Sequence, residues 1–473
     1  MRALYNELNL FDEDTRKGLG ECLIRKTVGI NMETISGKKL AEILGCAYSG
    51  NDAVVDNIST DSRKVSATTL FIALKGEKYD AHDFVKDVIN QGCPLAVVEH
   101  PVEGVADKHL LIVDDTLKAY GKIGAYNRSL FKGTVIGLTG SSGKTTTKEE
   151  IAFLLSKFRK TYATTGNHNN FVGVPQSLCE MDMSAEYAVI EMGMSAKGEI
   201  SYLTSLVKPD IAVVTNVYPM HIEFFPDFRS IAYAKAEIFE GLPKNRGIAV
   251  INEDTSFADV LEEQASHYAS KIVKFGKNTH PNDSFTTAEI GEHFLYNAWC
   301  ALTVVQTLGL DTKKAAGFIK DFGALDGRGK HHTLKLPNGG TYTLIDDSYS
   351  GQPEAMKLAI TALDKTPVTG RKIVVLGKMA ELGATSLEQH QKIGQLLANT
   401  SIDVVVGVCP EMKDMLAQLP QTKKQYYFEN KDGIAEFLFN KLLQNGDIVL
   451  IKGARYSSKM YQVTEELLKQ GKM

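Results

Sequence analysis

This chain carries little that would tie it to a special scaffold or compartment. Its 473 residues include six cysteines, Cys22, Cys46, Cys93, Cys179, Cys300 and Cys409, scattered singly and without a CxxC pair. That spacing excludes a disulfide framework and a thiolate zinc site, and fits reduced thiols in a cytoplasmic protein. No apolar run approaches the ~20 residues of a membrane span, and none precedes a signal-cleavage pattern, so no membrane insertion is expected. An excess of charge is missing too. Lys plus Arg is 53 against 57 for Asp plus Glu, a net of −4, which leaves no basic field to attract nucleic acid or an anionic membrane. There is no internal repeat and no low-complexity tract. What remains is 43% hydrophobic and 23% charged, with 40 Gly and 13 Pro, a composition that rules out collagen, coiled coil and wholesale disorder. At ~150 residues per domain, the length points to about three domains.

The hydrophobic pattern divides the chain accordingly. Residues 1–31 are polar and mixed, with a weakly amphipathic stretch from Gly18 to Ile30, and receive no role beyond an N-terminal extension. A small α/β unit is expected over 32–115, with a helix over 36–44, strands over 54–58, 70–73, 95–99 and 110–113, and a helix over 83–91. A second unit covers 116–325. Its helix over 116–131 leads to a β-rich run at 134–139, a helix over 144–158, apolar strands at 187–191, 211–215 and 247–251, and a closing helix over 292–308. Apolar strands alternating with helices predict a parallel sheet covered on both faces. The third unit, 326–473, repeats the alternation with strands at 342–345, 372–376, 404–408 and 448–451. The fold class expected is α/β, in three domains.

The strongest chemical signal is Gly137-Leu-Thr-Gly140-Ser-Ser-Gly143-Lys144-Thr145-Thr146-Thr147, set between a strand and a helix. This is where a phosphate-binding loop belongs: glycines let backbone N–H groups close on phosphate oxygens, and the helix N-terminus adds its dipole. Lys144 can reach the β and γ phosphates and Thr145 can offer its hydroxyl to Mg²⁺. Leu138 stands where the strict pattern has glycine. The amide-rich run Gly166-Asn167-His168-Asn169-Asn170 reads on its own as a polar turn. Glu191, ending an apolar strand, sits where a Mg²⁺ ligand would, or is a solvated strand end. His221, after the apolar strand that ends near Thr215, either ligates a metal or caps a loop. Lys235 lies on a predicted helix among Ala, Tyr, Ile and Phe. His331 and His332 lack a second ligand pair at metal spacing, and a solvated loop is expected there.

Taken in order, these motifs resemble the Mur ligase family of ATP-dependent amide ligases, from about Met32 onward. Further stretches carry the resemblance: Ser59-Thr-Asp-Ser-Arg63, Leu70-Phe-Ile-Ala-Leu-Lys-Gly76, Tyr79-Asp-Ala-His-Asp-Phe84, Ile345-Asp-Asp-Ser-Tyr349, Val375-Leu-Gly-Lys-Met-Ala-Glu-Leu-Gly383 and Lys452-Gly-Ala-Arg455. Within the family they look closest to the members that add D-alanyl-D-alanine to UDP-N-acetylmuramoyl-tripeptide. The resemblance implies a UDP-binding first domain, with Thr60, Asp61, Ser62 and Arg63 near the nucleotide. It implies a central P-loop domain, with Gly140, Ser141, Ser142, Gly143, Lys144, Thr145 and Thr146 on ATP. Asn297 would read the adenine, Asp347 hold the ribose, and Arg328 stand near the γ-phosphate. Mg²⁺ would be held by Thr145, Glu191, His221 and, if carbamylated, Lys235. Asn167, Asn169 and Asn170 would contact the muramoyl peptide, and Lys452 and Arg455, in a Rossmann-like third domain, the incoming dipeptide. Lys144, Lys235, His221 and Arg328 would be catalytic, and the chain a monomer.

The chain departs from the family at Ser350-Gly351-Gln352-Pro353, at Lys378 where an Asp is usual, at Phe294 where the usual pair is His-Asn, and in a short segment between Phe275 and Glu292. ATP activation reads as intact and the choice of amine as open. The alternatives are a divergent relative joining another amine to a UDP-linked or peptidyl carboxylate, and a non-catalytic ATP-binding switch.

Overall fold

The computed structural model describes residues 32–76, 79–282, 284–288 and 291–471. The N-terminal extension, including the stretch from Gly18 to Ile30, lies outside the described residues.

Three parallel sheets organise the chain, as the apolar strands predict. The first holds Asn57–Ser59, Thr69–Ile72, Leu95–Val98 and Leu110–Ile112 in that spatial order. The expected strand over 54–58 is split. Val54–Val55 instead pairs antiparallel with Ile35–Ser36, and only Asn57–Ser59 joins the sheet. The helix Gly37–Leu44 starts where Ser36 Oγ accepts the N–H of Lys39 and ends at Gly45, left-handed at φ 74°. The segment expected as one helix over 83–91 is a 3₁₀ turn, Ala81–Phe84, followed by the helix Val85–Asn90.

The helix Thr116–Leu130, capped by Asp115, packs against Gly37–Leu44 on one side and Gly173–Cys179 and Glu199–Val207 on the other. It joins the first sheet to the second. In the second sheet the order is Lys271–Phe275, Ile248–Asn252, Ile211–Val214, Thr134–Thr139, Tyr187–Glu191, Thr161–Ala163, all parallel. The two edge strands, Thr161–Ala163 and Lys271–Phe275, are absent from the sequence reading because they are mostly half-buried, and one is very short while the other is interrupted by lysines. Thr134–Thr139 lies centrally, with its neighbours' carboxyl ends beside its own. The chain runs from this strand to Thr161–Ala163 and Tyr187–Glu191 on one side and then crosses to Ile211–Val214 on the other, so a crevice opens at those ends, the usual ligand position in such sheets. Core residues fill both faces, among them Ile136, Leu138, Val189, Val213, Ile190 and Val214.

The third sheet runs Lys330–Lys335, Thr341–Asp347, Ile448–Lys452, Lys372–Gly377, Val404–Val408, Lys424–Phe428. All pairs are parallel except the first, which is antiparallel. His331 and His332 therefore lie on a strand, opposite Ile345 and Leu344, and the loop expected there is wrong. A run of Lys, His and Thr does not announce itself as β, and the partner strand supplies the pairing. Among the described residues no helix is long and apolar enough to cross a membrane.

Asp447 anchors the base of this third sheet. Its side chain is 1% exposed and takes the guanidinium of Arg371 at 2.7 Å, the backbone N–H of Arg371 at 2.9 Å and that of Gln444 at 2.8 Å. Removing one partner of a buried pair strands the other. Asp447→Ala should therefore cost about 3 kcal/mol, read as a lower midpoint of urea unfolding. A loss below about 1 kcal/mol would show that Arg371 finds another acceptor.

Candidate active site

The glycine loop follows Thr134–Thr139 and leads into the helix Lys144–Ser156. Two glycines are required by geometry. A Cβ on Gly140 would lie 1.9 Å from Oγ1 of Thr215, and Gly143 sits at φ 74° directly before the helix. The loop is latched to the neighbouring strand end. Ser142 N–H donates to Oδ1 of Asn216 at 2.8 Å, while Nδ2 of Asn216 and Oγ1 of Thr215 donate to the Ser142 carbonyl at 3.0 and 3.1 Å. Ser141 N–H donates to the Asn216 carbonyl, and Ser141 Oγ bridges the backbone of Tyr218. Lys144 folds back so that Nζ donates to the Gly140 carbonyl at 2.9 Å. Two loop N–H groups, those of Ser141 and Ser142, and the Ser142 carbonyl are thus held in place by Thr215 and Asn216 after the next strand.

Glu191 ends the strand on the other side of the loop and is fully buried. Its Oε1 accepts from Oγ1 of Thr145 at 3.2 Å and from Nδ2 of Asn169 at 2.7 Å. Its Oε2 is buried and has no hydrogen-bond partner among the described residues. A buried carboxylate oxygen aimed at no donor is costly unless a cation completes it. Beside a hydroxyl and an open phosphate site, it suits Mg²⁺, which takes one or two protein oxygens and leaves the rest of its shell to phosphates and water. Among the described residues no three His, Cys, Asp or Glu side chains form a metal cluster by themselves.

Lys235 lies on Phe228–Ala236, 2% exposed, with no hydrogen bond or ion pair among the described residues. Burial, reinforced by the neighbouring Lys144 charge, holds its amine well below the usual lysine range. Burial also lowers Lys144, against the pull of Glu191. His221 begins the turn Ile222–Phe224 at φ 56°, a left-handed conformation uncommon for a non-glycine residue. Its Nδ1 lies 2.6 Å from Oε2 of Glu381, off the line of a well-directed hydrogen bond. Glu381 belongs to the third sheet's domain and is also left-handed, at φ 58°. Burial works to raise its carboxyl, but the bonding and charge of His221, with Gln352 and Lys144, hold it below the usual range.

A second cluster of candidate residues lies within the third domain. Asp346, 6% exposed, accepts the Gly327 N–H at 2.8 Å and the Ser348 hydroxyl at 2.6 Å, tying the segment around Arg328 to the strand end. The Arg328 guanidinium lies 4.0 Å from the Tyr349 ring centre, and Arg455 lies over the rings of Tyr349 and Tyr461 at 5.4 and 4.4 Å. Lys452, 1% exposed, donates to Oδ2 of Asp347 at 2.7 Å. Its amine is thus engaged with the acid expected at the ribose, as an internal ion pair. Burial raises the Asp347 carboxyl, and Lys452 opposes that shift. Asn297, 8% exposed, accepts from Thr147 Oγ1 at 3.1 Å directly behind Gly143.

Thr146 is buried in the first turn of the loop helix. Asn169 is spent on Glu191, and Asn170 caps Gly173–Cys179 by accepting the N–H groups of Val172 and Gly173, leaving exposed Asn167 at the turn's surface. Thr60, Asp61, Ser62 and Arg63 lie together in the first domain after Asn57–Ser59. There the Arg63 fork grips Asp61 at 2.9 Å twice and holds that carboxyl down at about 2. Sequence reasoning missed Asn216, Tyr349, Gln352 and Glu381. All four sit inside stretches whose pattern is visible, but their roles depend on contacts across strands and domains.

His293 stands at the same joint. Burial, helped by the Lys452 charge, pushes its imidazole from 6.5 down to about 4. Between those values the unfolded chain binds more protons than the folded one, so this contribution to stability is lost as pH falls from about 6.5 toward 4. His293→Phe should lose less stability than the parent across that window in urea titrations. Parallel losses would contradict a neutral, buried His293.

Comparison with known proteins follows the same outline. The chain matches the Mur ligase family catalytic domain over 54–126, the Mur ligase middle domain over 138–294 and the glutamate ligase domain of Mur ligases over 333–455. It is 34% identical to the UDP-N-acetylmuramoyl-tripeptide--D-alanyl-D-alanine ligase of Escherichia coli K12, over 93% of this chain and 100% of that one. The crystal structure of MurF from Acinetobacter baumannii superposes with a TM-score of 0.83 at 29% identity, covering 93% of this chain and 100% of the other. MurF ligase from Thermotoga maritima in complex with ADP gives 0.75 at 28% identity, over 88% and 97%.

Proposed function

This chain belongs to the Mur ligase family, and from that premise we propose that it is an ATP-dependent amide ligase joining D-alanyl-D-alanine to UDP-N-acetylmuramoyl-tripeptide in peptidoglycan precursor synthesis. The observation that carries the reading is the phosphate loop beside the half-satisfied Glu191 carboxylate, in a chain that matches a ligase of this name over 93% of its length. In this reading residues 32–115 bind the UDP portion, 116–325 bind ATP, and 326–473 bring the amine.

The chemistry follows from charge. The tripeptide carboxylate attacks the γ-phosphorus; the bond to ADP breaks and an acyl phosphate forms. Lys144 and the loop N–H groups between Gly140 and Thr146 balance the phosphate charge. Arg328, fixed by its stacking on Tyr349, adds a second cation. Mg²⁺, when bound by Thr145, Glu191 and His221, supplies further neutralisation of the phosphates. The amine of the dipeptide then attacks the acyl carbon. The C–N bond forms, the C–O bond to phosphate breaks, and of the two protons lost by the ammonium group one leaves on phosphate and one goes to solvent. Asp347 holds the ribose and Asn297 borders the base. Thr60, Asp61, Ser62 and Arg63 contact the UDP, which requires the Arg63 fork to turn from Asp61 to a phosphate. Asn167 meets the peptide, and Asn169 and Asn170 hold their turn in place. Lys235 is the site of carbamylation: its uncharged amine adds to carbon dioxide with loss of one proton, turning a buried base into an anion that a metal can use.

ADP release should require both the UDP-linked tripeptide and D-alanyl-D-alanine, and Lys144→Ala should lower it by at least about 100-fold. ATP binding with no dipeptide-dependent release would contradict the ligase reading. Bicarbonate labelled with ¹³C should give a carbamate resonance in the parent protein that Lys235→Met lacks. No resonance at saturating bicarbonate would leave Lys235 a plain amine.

A further inference from the structure

The third domain delivers an acid to a site otherwise crowded with cations, and nothing in the phosphate chemistry uses it. Glu381 reaches across the domain joint to His221 and lies within electrostatic range of Lys144. Its loop is pressed on the central domain: a Cβ on Gly383 would lie 3.0 Å from Cβ of Glu223. Two residues in contact across the joint, Glu381 and His221, both hold left-handed backbones, a conformation disfavoured in non-glycine residues. Gln352 stands beside them. Its Nε2 is 3.5 Å from Oε2 of Glu381, and its Oε1 is buried without a hydrogen-bond partner among the described residues. The loop carrying Gln352 is in turn packed on the loop before Arg455, since a Cβ on Gly351 would lie 2.3 Å from the Ala454 backbone nitrogen.

We propose that Glu381 and Gln352 form the receptor for the ammonium end of the incoming amine, while Arg455 on the adjoining loop faces its carboxylate. This rests on the ligase reading above. An ammonium offers three donors and no acceptor. A carboxylate and an orphan amide oxygen side by side are its complement, and a cation arriving next to Lys144 and Arg328 needs an anion beside it. Both groups belong to the third domain, so they travel with it as it closes. The chain's own departure at Ser350-Gly351-Gln352 falls in this receptor, which puts it where amine choice is made.

The test uses the full-length protein and two ligands, D-alanyl-D-alanine and propionyl-D-alanine, the same molecule without its amino group. Glu381→Gln removes one charge-assisted hydrogen bond and should raise KM for the dipeptide about 10- to 100-fold while moving KM for ATP less than about threefold. In the parent, propionyl-D-alanine should inhibit far more weakly than its size suggests; in Glu381→Gln the gap between its inhibition constant and the dipeptide KM should collapse. Gln352→Leu, which keeps the charge, should raise dipeptide KM about three- to tenfold, and Glu381→Asp should recover part of the loss. A Glu381→Gln variant with an unchanged dipeptide KM, or one whose loss falls on KM for ATP, would overturn the assignment and tie Glu381 to His221 and the phosphates. If the parent itself shows no dipeptide-dependent turnover, it is the ligase reading that fails.

Discussion

At the carboxyl ends of the central parallel strands the half-buried Lys144 amine lies between the Glu191 carboxylate and the buried amine of Lys235, which burial and the Lys144 charge hold well below the usual lysine range. A lysine charge in a water-poor site calls for an anion, and one oxygen of Glu191 has no donor among the described residues. The site is therefore unbalanced in both senses: excess positive charge awaits an anion, and an open carboxylate oxygen awaits a cation. ATP with a divalent metal answers both. The surrounding structure exists to hold that imbalance. Thr215 and Asn216 fasten the glycine loop from one neighbouring strand, and Thr145 and Asn169 fasten Glu191 from the other side. Lys148, fully buried, donates to the carbonyls of Thr164 and Gly166 and so fixes the turn that carries Asn169.

Within the third domain Asp346 ties the Arg328 segment to the first parallel strand of the third sheet, and Lys452 pairs with Asp347. The domain meets this centre where Glu381 reaches His221. Such polar joints re-form readily when a domain moves. An acyl phosphate must be shielded from water until the amine arrives, so a domain that brings the amine and closes the site in one movement serves both needs.

Much of this was legible in the sequence. Strands such as Thr134–Thr139, Tyr187–Glu191 and Val404–Val408 are continuous apolar runs, and a strand buried on both faces has no other way to look. The phosphate loop announces itself because only glycine fits at 140 and 143. Edge strands such as Thr161–Ala163 and Lys424–Phe428 were invisible because one face meets solvent and little distinguishes them from turns. The roles of Glu381 and Gln352 were hidden for another reason: Glu381 acquires meaning from His221 across the domain joint, and Gln352 from Glu381 on a separate loop. At Lys452 the sequence shows a strand-end cation but not Asp347, the acid it pairs with.

The central claim is that ATP activates the tripeptide by phosphorylating its carboxylate. It is tested most directly by turnover with UDP-muramoyl-tripeptide whose terminal carboxylate carries ¹⁸O, followed by mass analysis of the released phosphate. The account predicts one ¹⁸O in phosphate for every amide bond formed, because the carboxylate oxygen bonded to phosphorus leaves with it. Unlabelled phosphate released alongside product would mean that the carboxylate never bonds to phosphorus, and the activation chemistry assigned to this site would be wrong.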